Sequence, residues 1–321
     1  MPRVIIDTDA GVDDALALLL ALRSPELDVA AITTVSGNAP VHHCIANVRR
    51  VLDVLGGPAP LLFQGESAPI SRPLFTAPEV HGEDGLGGAS LLREADGSPR
   101  YPEAPVPVSP HPAWEALVEM GRAEGPALTL IALGPLTNVA RAIERDAAAV
   151  RAYRRIVIMG GACRVSGNTS AVAEFNIYVD PEAAQRVLQL GAPITLVPLD
   201  VTERAVLRGD QLGELAPAPR VARFVEDITA AYMRYHAQAD GLAGCFLHDP
   251  LAVGAVLWPD LLGARPLRVD VETQGTLTRG MTVADFRPGR GACRPPNADV
   301  CLEVNAGEFV RRFLAHLATP A

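Results

Sequence analysis

Not one lysine occurs in the 321 residues; all 28 basic residues are arginine. That absence excludes a Walker-type phosphate lysine, a Schiff-base lysine and any lysine general base. Aromatic residues make up only 5% of the chain. The five cysteines are an odd number, scattered at Cys44, Cys163, Cys245, Cys293 and Cys301 with no C-x-x-C among them. Such spacing argues for buried free thiols over a disulfide framework or a zinc site. No run of 18 apolar residues exists, and Met1-Pro2-Arg3-Val4-Ile5-Ile6-Asp7 enters a strand pattern at once. We therefore expect no membrane span, no signal peptide and a cytoplasmic protein. A net charge of -9 argues against a surface built to hold nucleic acid.

What is present is apolar: 49% hydrophobic residues against 20% charged, enough to bury a large core. The opening residues alternate as strand Arg3–Asp7, helix Val12–Leu22, strand Leu27–Val35 and helix Val41–Leu55. Strand–helix–strand with short turns implies parallel strands joined by right-handed crossovers. From Gly57 to Pro112 the sequence turns Pro- and Gly-rich, and a connection this long inside a domain is usually functional or disordered. The rhythm then returns with strand Ala127–Ala132, helix Leu136–Arg145, strand Arg155–Met159, helix Pro181–Leu190 and strand Ile194–Pro198. Arg220–Gln238 and Pro250–Leu257 read as helices, Leu267–Glu272 and Val300–Val304 as strands, and Glu308–Ala318 as a terminal helix. No repeat and no linker divides the chain. The expected fold is one α/β domain over residues 1–321, a mostly parallel, open, Rossmann-like sheet flanked by helices.

In such sheets ligands bind beyond the carboxyl ends of the strands. Directly after the first strand comes Asp7-Thr8-Asp9-Ala10-Gly11-Val12-Asp13-Asp14, four carboxylates that repel one another unless a cation or water relieves them. A capped helix with a solvated acidic turn is the plain reading, because the helix dipole favours Asp13 and Asp14 in the first turn. Capping uses one aspartate and leaves three over. All-oxygen ligands suit Ca²⁺ or Mg²⁺. An EF-hand begun at Asp7 would need a Glu where Leu18 stands, and a Rossmann fingerprint would need glycines where these aspartates are. A D-x-D phosphatase with Asp7 as nucleophile stays open as an alternative, although it normally uses a lysine that this chain lacks.

The acidic turn closely resembles the N-terminal signature of the nucleoside N-ribohydrolases of the inosine–uridine-preferring type. The resemblance continues through Thr33-Thr34-Val35-Ser36-Gly37-Asn38, His81-Gly82-x-x-Gly85-Leu86 and Gly134-Pro135-Leu136-Thr137-Asn138. It runs on through Met159-Gly160-Gly161, Gly167-Asn168, Val172-Ala173-Glu174-Phe175-Asn176 and Asp180-Pro181-Glu182-Ala183. His248-Asp249-Pro250 and Thr278-Arg279-Gly280 complete it, in family order across nearly the whole chain.

This resemblance implies hydrolysis of ribonucleosides to base and ribose, in nucleoside salvage, by a homo-oligomer (dimer or tetramer). It implies a Ca²⁺ held by Asp9, Asp14, Asp249 and the carbonyl of Thr137. Asp9 would also activate the attacking water, and His248 would be the acid for the leaving base. Asp13, Asn38, Glu174 and Asn176 would grip ribose hydroxyls, Asn168 would lie near the 5′ end and Met159 beneath the ring. His81 would face the base, with Phe175 lining the pocket, and Asp7 would orient its neighbours from behind. A catalytically silent nucleoside binder is the third reading, and the presence of Asp9, Asp14 and Asp249 speaks against it. Two departures stand out. Ala10 replaces the family's usual Pro, a change to the rigidity of the turn. Tyr232, His236 and Asp240, with Tyr235 adjacent, occupy the register where pyrimidine-preferring members carry Thr, Gln and Tyr, which suggests a broad or purine-tolerant specificity.

Overall fold

The computed structural model describes residues 1–287 and 294–319, so Cys293 lies outside the described residues. The chain opens β1 (Arg3–Thr8), α1 (Val12–Arg23), β2 (Asp28–Thr34), α2 (Val41–Leu55) and β3 (Leu61–Gln64). Next come α3 (Pro78–His81), β4 (Val108–Ser109), α4 (Ala113–Glu124), β5 (Leu128–Ala132), α5 (Thr137–Arg151) and β6 (Arg155–Met159). Then follow α6 (Phe175–Val179), α7 (Pro181–Leu188), β7 (Ile194–Val197), α8 (Leu199–Thr202), β8 (Val206–Leu207) and α9 (Pro219–Ala239). The last part holds β9 (Cys245–Phe246), α10 (His248–Leu257), β10 (Leu262–Leu267), β11 (Val269–Val271), β12 (Thr282–Ala284), β13 (Ala298–Val304) and α11 (Ala306–Leu317).

Nine strands form one sheet in the order β10-β13-β7-β6-β5-β1-β2-β3-β4. Every pairing in it is parallel except β10 with β13. The mostly parallel α/β sheet expected from the sequence is therefore what forms. Pleating sends alternate side chains to opposite faces. Val4 and Ile6 of β1 join a core with α1, α2, α9, α10 and α11, while Ile5 joins a second core with α4, α5 and α7. Helix α1 is buried from Val12 to Ala21, packed among α2, α9, α10 and α11, so it is apolar on every face. Truncating any of its fully buried leucines would cost about 2–5 kcal/mol.

The structure refines several expected elements. Helix α4 and strand β3 go beyond the sequence pattern, and the strand expected over Leu267–Glu272 is the end of β10 followed by β11 in a separate two-stranded sheet with β12. Within α5, Asp146 leaves helical geometry, directly after the Arg145 at which the sequence ends that helix. Its Oδ1 accepts the amides of Ala148 and Ala149 and restarts the helix.

Strand β1 lies between β5 and β2. The chain builds outward from β1 through β2 and β3 on one side, and from β5 through β6 and β7 on the other. A crevice opens at such a switch point beyond the strand ends. Asp7 pairs in register with Thr33 and Ala132, so the segments after β1, β2 and β5 all converge there.

Candidate active site

The end of β1, the turn after it and the first turn of α1 gather four aspartates at this crevice. Asp7 is buried and accepts from Thr33 Oγ1 at 2.5 Å and Asn138 Nδ2 at 2.7 Å. Asn138 also donates to the Thr34 carbonyl and accepts the Glu66 amide, tying the ends of β1 and β2 to the start of α5. Asp9 accepts the Asn38 amide on Oδ2 at 2.6 Å, while its buried Oδ1 has no hydrogen-bond partner. Asp14 accepts from Thr8 Oγ1, the Gly11 amide and Asn38 Nδ2 at 2.5, 2.9 and 3.1 Å. Ala10 adopts φ of 42°. That left-handed conformation costs a residue with a Cβ about 1–2 kcal/mol and lies outside proline's range, so the turn differs in shape and not only in rigidity.

The ligand atoms of Asp13, Asp14 and Asp249 all lie within 4.8 Å of one another, and all three residues are buried. These are the three carboxylates close enough to share an ion among the described residues, and Asp9 stands beside them. Burial, followed by the charge of Asp14, pushes Asp9 and Asp13 well above the usual carboxylate range. Asp249 is raised by burial and then by Asp13, Asp14 and Asp9. Asp7 is pushed up to about 7, chiefly by burial. Among the described residues no arginine pairs with this cluster, and the one basic contact is His81 Nδ1, 4.0 Å from Asp13 Oδ1. Buried like charges with orphaned oxygens on Asp9 and Asp13 fit an all-oxygen cation site.

Two glycines let the backbone close around Asp9. A Cβ at Gly37 would lie 2.1 Å from Asp9 Oδ2, and one at Gly134 would lie 2.7 Å from Oδ1. Thr137 opens α5 beside this turn, and its hydroxyl donates to Asp180 Oδ2 at 2.7 Å.

Above the carboxylates is a cavity of about 450 Å³. Asp13, Asn38, His81, Met159, Asn168, Glu174, Phe175, Asn176, His248 and Asp249 all line it. Asp9, Asp14 and Thr137 sit behind its wall, as does Asp7. Glu174 caps α6, taking the amides of Asn176, Ile177 and Gly161 on its two oxygens; burial raises its pKa against those bonds. Asn176 Nδ2 donates to the Leu133 carbonyl at 2.6 Å and lies 3.5 Å from Met159 Sδ. Asn168 is exposed at the rim, its Oδ1 accepting the Phe175 amide.

The opposite end is aromatic and titratable. His81 accepts the Val12 amide on Nδ1 at 3.1 Å and stacks on Tyr232. His248 Nδ1 lies 2.7 Å from Thr202 Oγ1. Burial pulls both imidazoles down to about 3. Tyr235, His236, Asp240 and Phe246 complete this end. Sequence reasoning missed Phe75 and Glu203 on the cavity wall. Phe75 stands in the Pro-rich segment, 44% exposed and packed on Phe175 and Tyr178. An aromatic set among prolines in a long connection was the available signal.

The inosine-uridine preferring nucleoside hydrolase family matches residues 4–311. The chain is 38% identical to the pyrimidine-specific ribonucleoside hydrolase RihA of Citrobacter koseri, covering 98% of this chain and 97% of that one. It is also 38% identical to the non-specific ribonucleoside hydrolase RihC of Klebsiella pneumoniae, covering 96% and 95%. A solved purine-preferring ribonucleoside hydrolase from Gardnerella vaginalis superposes with a TM-score of 0.89 at 30% identity, covering 98% of each chain. The likeness thus spans sequence and backbone alike, from the first strand to the last helix, and the chain belongs to the inosine-uridine preferring nucleoside hydrolase family.

Proposed function

We propose that the protein hydrolyses the N-glycosidic bond of ribonucleosides, releasing free base and ribose, with Ca²⁺ as its metal. The observation that carries this reading is the buried, mutually repelling cluster of Asp9, Asp13, Asp14 and Asp249 at the floor of a cavity sized for a small ligand. Asp9, Asp14, Asp249 and the Thr137 carbonyl would hold the ion. When bound, the ion supplies a water of lowered pKa beside the anomeric carbon.

The chain's own residues do the rest. Asp9 would serve as the base through its unpartnered Oδ1, while the Asn38 amide fixes its other oxygen. As the bond to the base lengthens, positive charge grows on the ribose, and the carboxylates of Asp13 and Glu174 lie on the cavity wall to stabilise it. Asn38 and Asn176 bind the sugar hydroxyls with Asp13 and Glu174, and Asn168 meets the 5′ end. Met159 supports the ring from below and Phe175 closes one side. His81 and His248 face the base, and a neutral His248 can donate from Nε2 when Thr202 donates to its Nδ1.

The D-x-D phosphatase reading has little support, since Asp7 is fully buried, its Oδ1 held by Thr33 and Asn138, and absent from the cavity wall. Among the described residues no helix is long and apolar enough to cross a membrane. Cys44, Cys163, Cys245 and Cys301 are free thiols, which agrees with a reducing, cytoplasmic setting. We take the working form to be a dimer or tetramer. The test is ribose release from inosine, uridine, cytidine and adenosine with Ca²⁺ present. Release abolished by a chelator and restored by Ca²⁺ is the expected result, and no release from any of the four rejects the reading.

A further inference from the structure

Asn47 stands outside the cavity, yet its carboxamide joins two of the segments that build it. It lies on α2 and is 1% exposed. Its Nδ2 donates to the Ala10 carbonyl at 3.1 Å and to the Asp84 carbonyl at 2.7 Å. Two carbonyls at one end of a carboxamide can be met only by its NH₂, and both hydrogens are thereby used. Ala10 belongs to the turn between Asp9 and the Asp13-Asp14 pair, and Asp84 to the turn that follows His81.

The first turn is held under strain. Ala10 is the one non-glycine residue with positive φ among the described residues. Such a conformation persists only where its surroundings over-determine it. Cys44 Sγ, one helical turn before Asn47, lies 2.9 Å from the Asp9 carbonyl, and Thr8 Oγ1 takes the Ala10 amide at 3.0 Å. Asn47 supplies the remaining tie, on the Ala10 carbonyl. The second turn is a preformed body. The Asp84 carboxylate accepts the amides of Leu86, Gly88 and Ser90, each at 2.9 Å, and the Gly87 amide donates to the His81 carbonyl at 2.8 Å. Without a cation the carboxylates repel one another across the first turn. Any swing of the Ala10 carbonyl then pulls on Asn47, and through it on Asp84.

We propose that Asn47 is a positioning residue that couples the carboxylate floor to the His81 segment. A divalent cation on the carboxylates firms residues 82–90, and a firm segment in turn tightens the cation. This rests on the Ca²⁺ reading of the site and deepens it. Linkage of this kind is reciprocal, and couplings between sites typically amount to about 5–150-fold. The bond from the Val12 amide to His81 Nδ1 is a second tie between the same segments. Loss of Asn47 should therefore weaken the coupling without erasing it.

The experiment measures amide hydrogen exchange of residues 82–90 with and without Ca²⁺, in the parent and in Asn47→Leu, which keeps a branched side chain and removes both donors. In the parent, Ca²⁺ should slow exchange there at least about fivefold. In Asn47→Leu that effect should shrink to about twofold or less, and titration calorimetry should show Ca²⁺ bound about fivefold more weakly. The quantity read is the change that Ca²⁺ makes within each protein, which a uniform loss of stability leaves in place. A parent segment indifferent to bound Ca²⁺, or a full Ca²⁺ effect surviving in Asn47→Leu, overturns the proposal. Should circular dichroism show that Asn47→Leu does not fold, Asn47→Thr carries the same test, because one hydroxyl hydrogen can serve only one of the two carbonyls. Its Ca²⁺ effect should fall below the parent's, and an unchanged effect overturns the proposal. A parent to which calorimetry detects no Ca²⁺ binding overturns the metal reading and this inference together. Ca²⁺ bound without any effect on residues 82–90 overturns only the role of Asn47.

Discussion

Asp9 keeps one oxygen on the Asn38 amide and leaves the other without a donor in a buried place, an arrangement that suits a base and a metal ligand better than a structural cap. Asp9→Asn keeps the shape and removes the charge, so kcat for inosine should fall at least about 10³-fold. Because burial and Asp14 both oppose that charge, the same variant should melt no lower than the parent when both are stripped of metal. A large loss of thermal stability would contradict this. His248 is separable in the same way. His248→Ala should cost about 10²-fold or more on inosine and under about tenfold on p-nitrophenyl riboside, whose leaving group needs no proton. Equal losses on the two substrates would remove the acid role.

At the scale of elements, the strand ends matter more than the strands. The turn after β2 carries Gly37 against Asp9, where an added Cβ would fall 2.1 Å from Oδ2. Gly37→Ala should therefore shift Asp9 and weaken Ca²⁺ binding about 10–100-fold by titration calorimetry, with the sheet intact by circular dichroism. This turn was legible in the sequence because Ser36-Gly37-Asn38 follows an apolar strand; β1 and α1 were legible as apolar runs, and α2 from its helical periodicity. Strand β3 was hidden by its brevity and by the prolines before it, and α4 by the Pro-rich run that ends at Pro112. The acidic turn was readable because four carboxylates in eight residues have no cheap structural explanation. Local sequence could not show that Phe75 reaches across to Phe175, because that depends on how distant segments pack.

For the whole molecule, the carboxylate cluster links stability to pH and to metal. Burial pushes Asp7 up to about 7 in the folded chain against 3.8 when unperturbed, and Asp9, Asp13 and Asp249 are also raised. The folded state then binds more protons than the unfolded one above about pH 4, so metal-free protein should lose stability as pH rises through that range toward neutrality. Every tenfold difference in proton affinity between the folded and unfolded chain corresponds to about 1.4 kcal/mol. Thermal melts with a chelator should show Tm falling from pH 5 to pH 8, and Ca²⁺ should abolish the fall. A chelated protein whose Tm climbs over that range would contradict the linkage. The position of β1 has a different consequence, one that concerns synthesis. Its partner β5 spans residues 128–132, so more than a hundred residues must leave the ribosome before the second edge of the first strand is covered. At ordinary elongation rates that is on the order of ten seconds. Throughout that wait the nascent chain presents an open, apolar ribbon to whatever lies nearby.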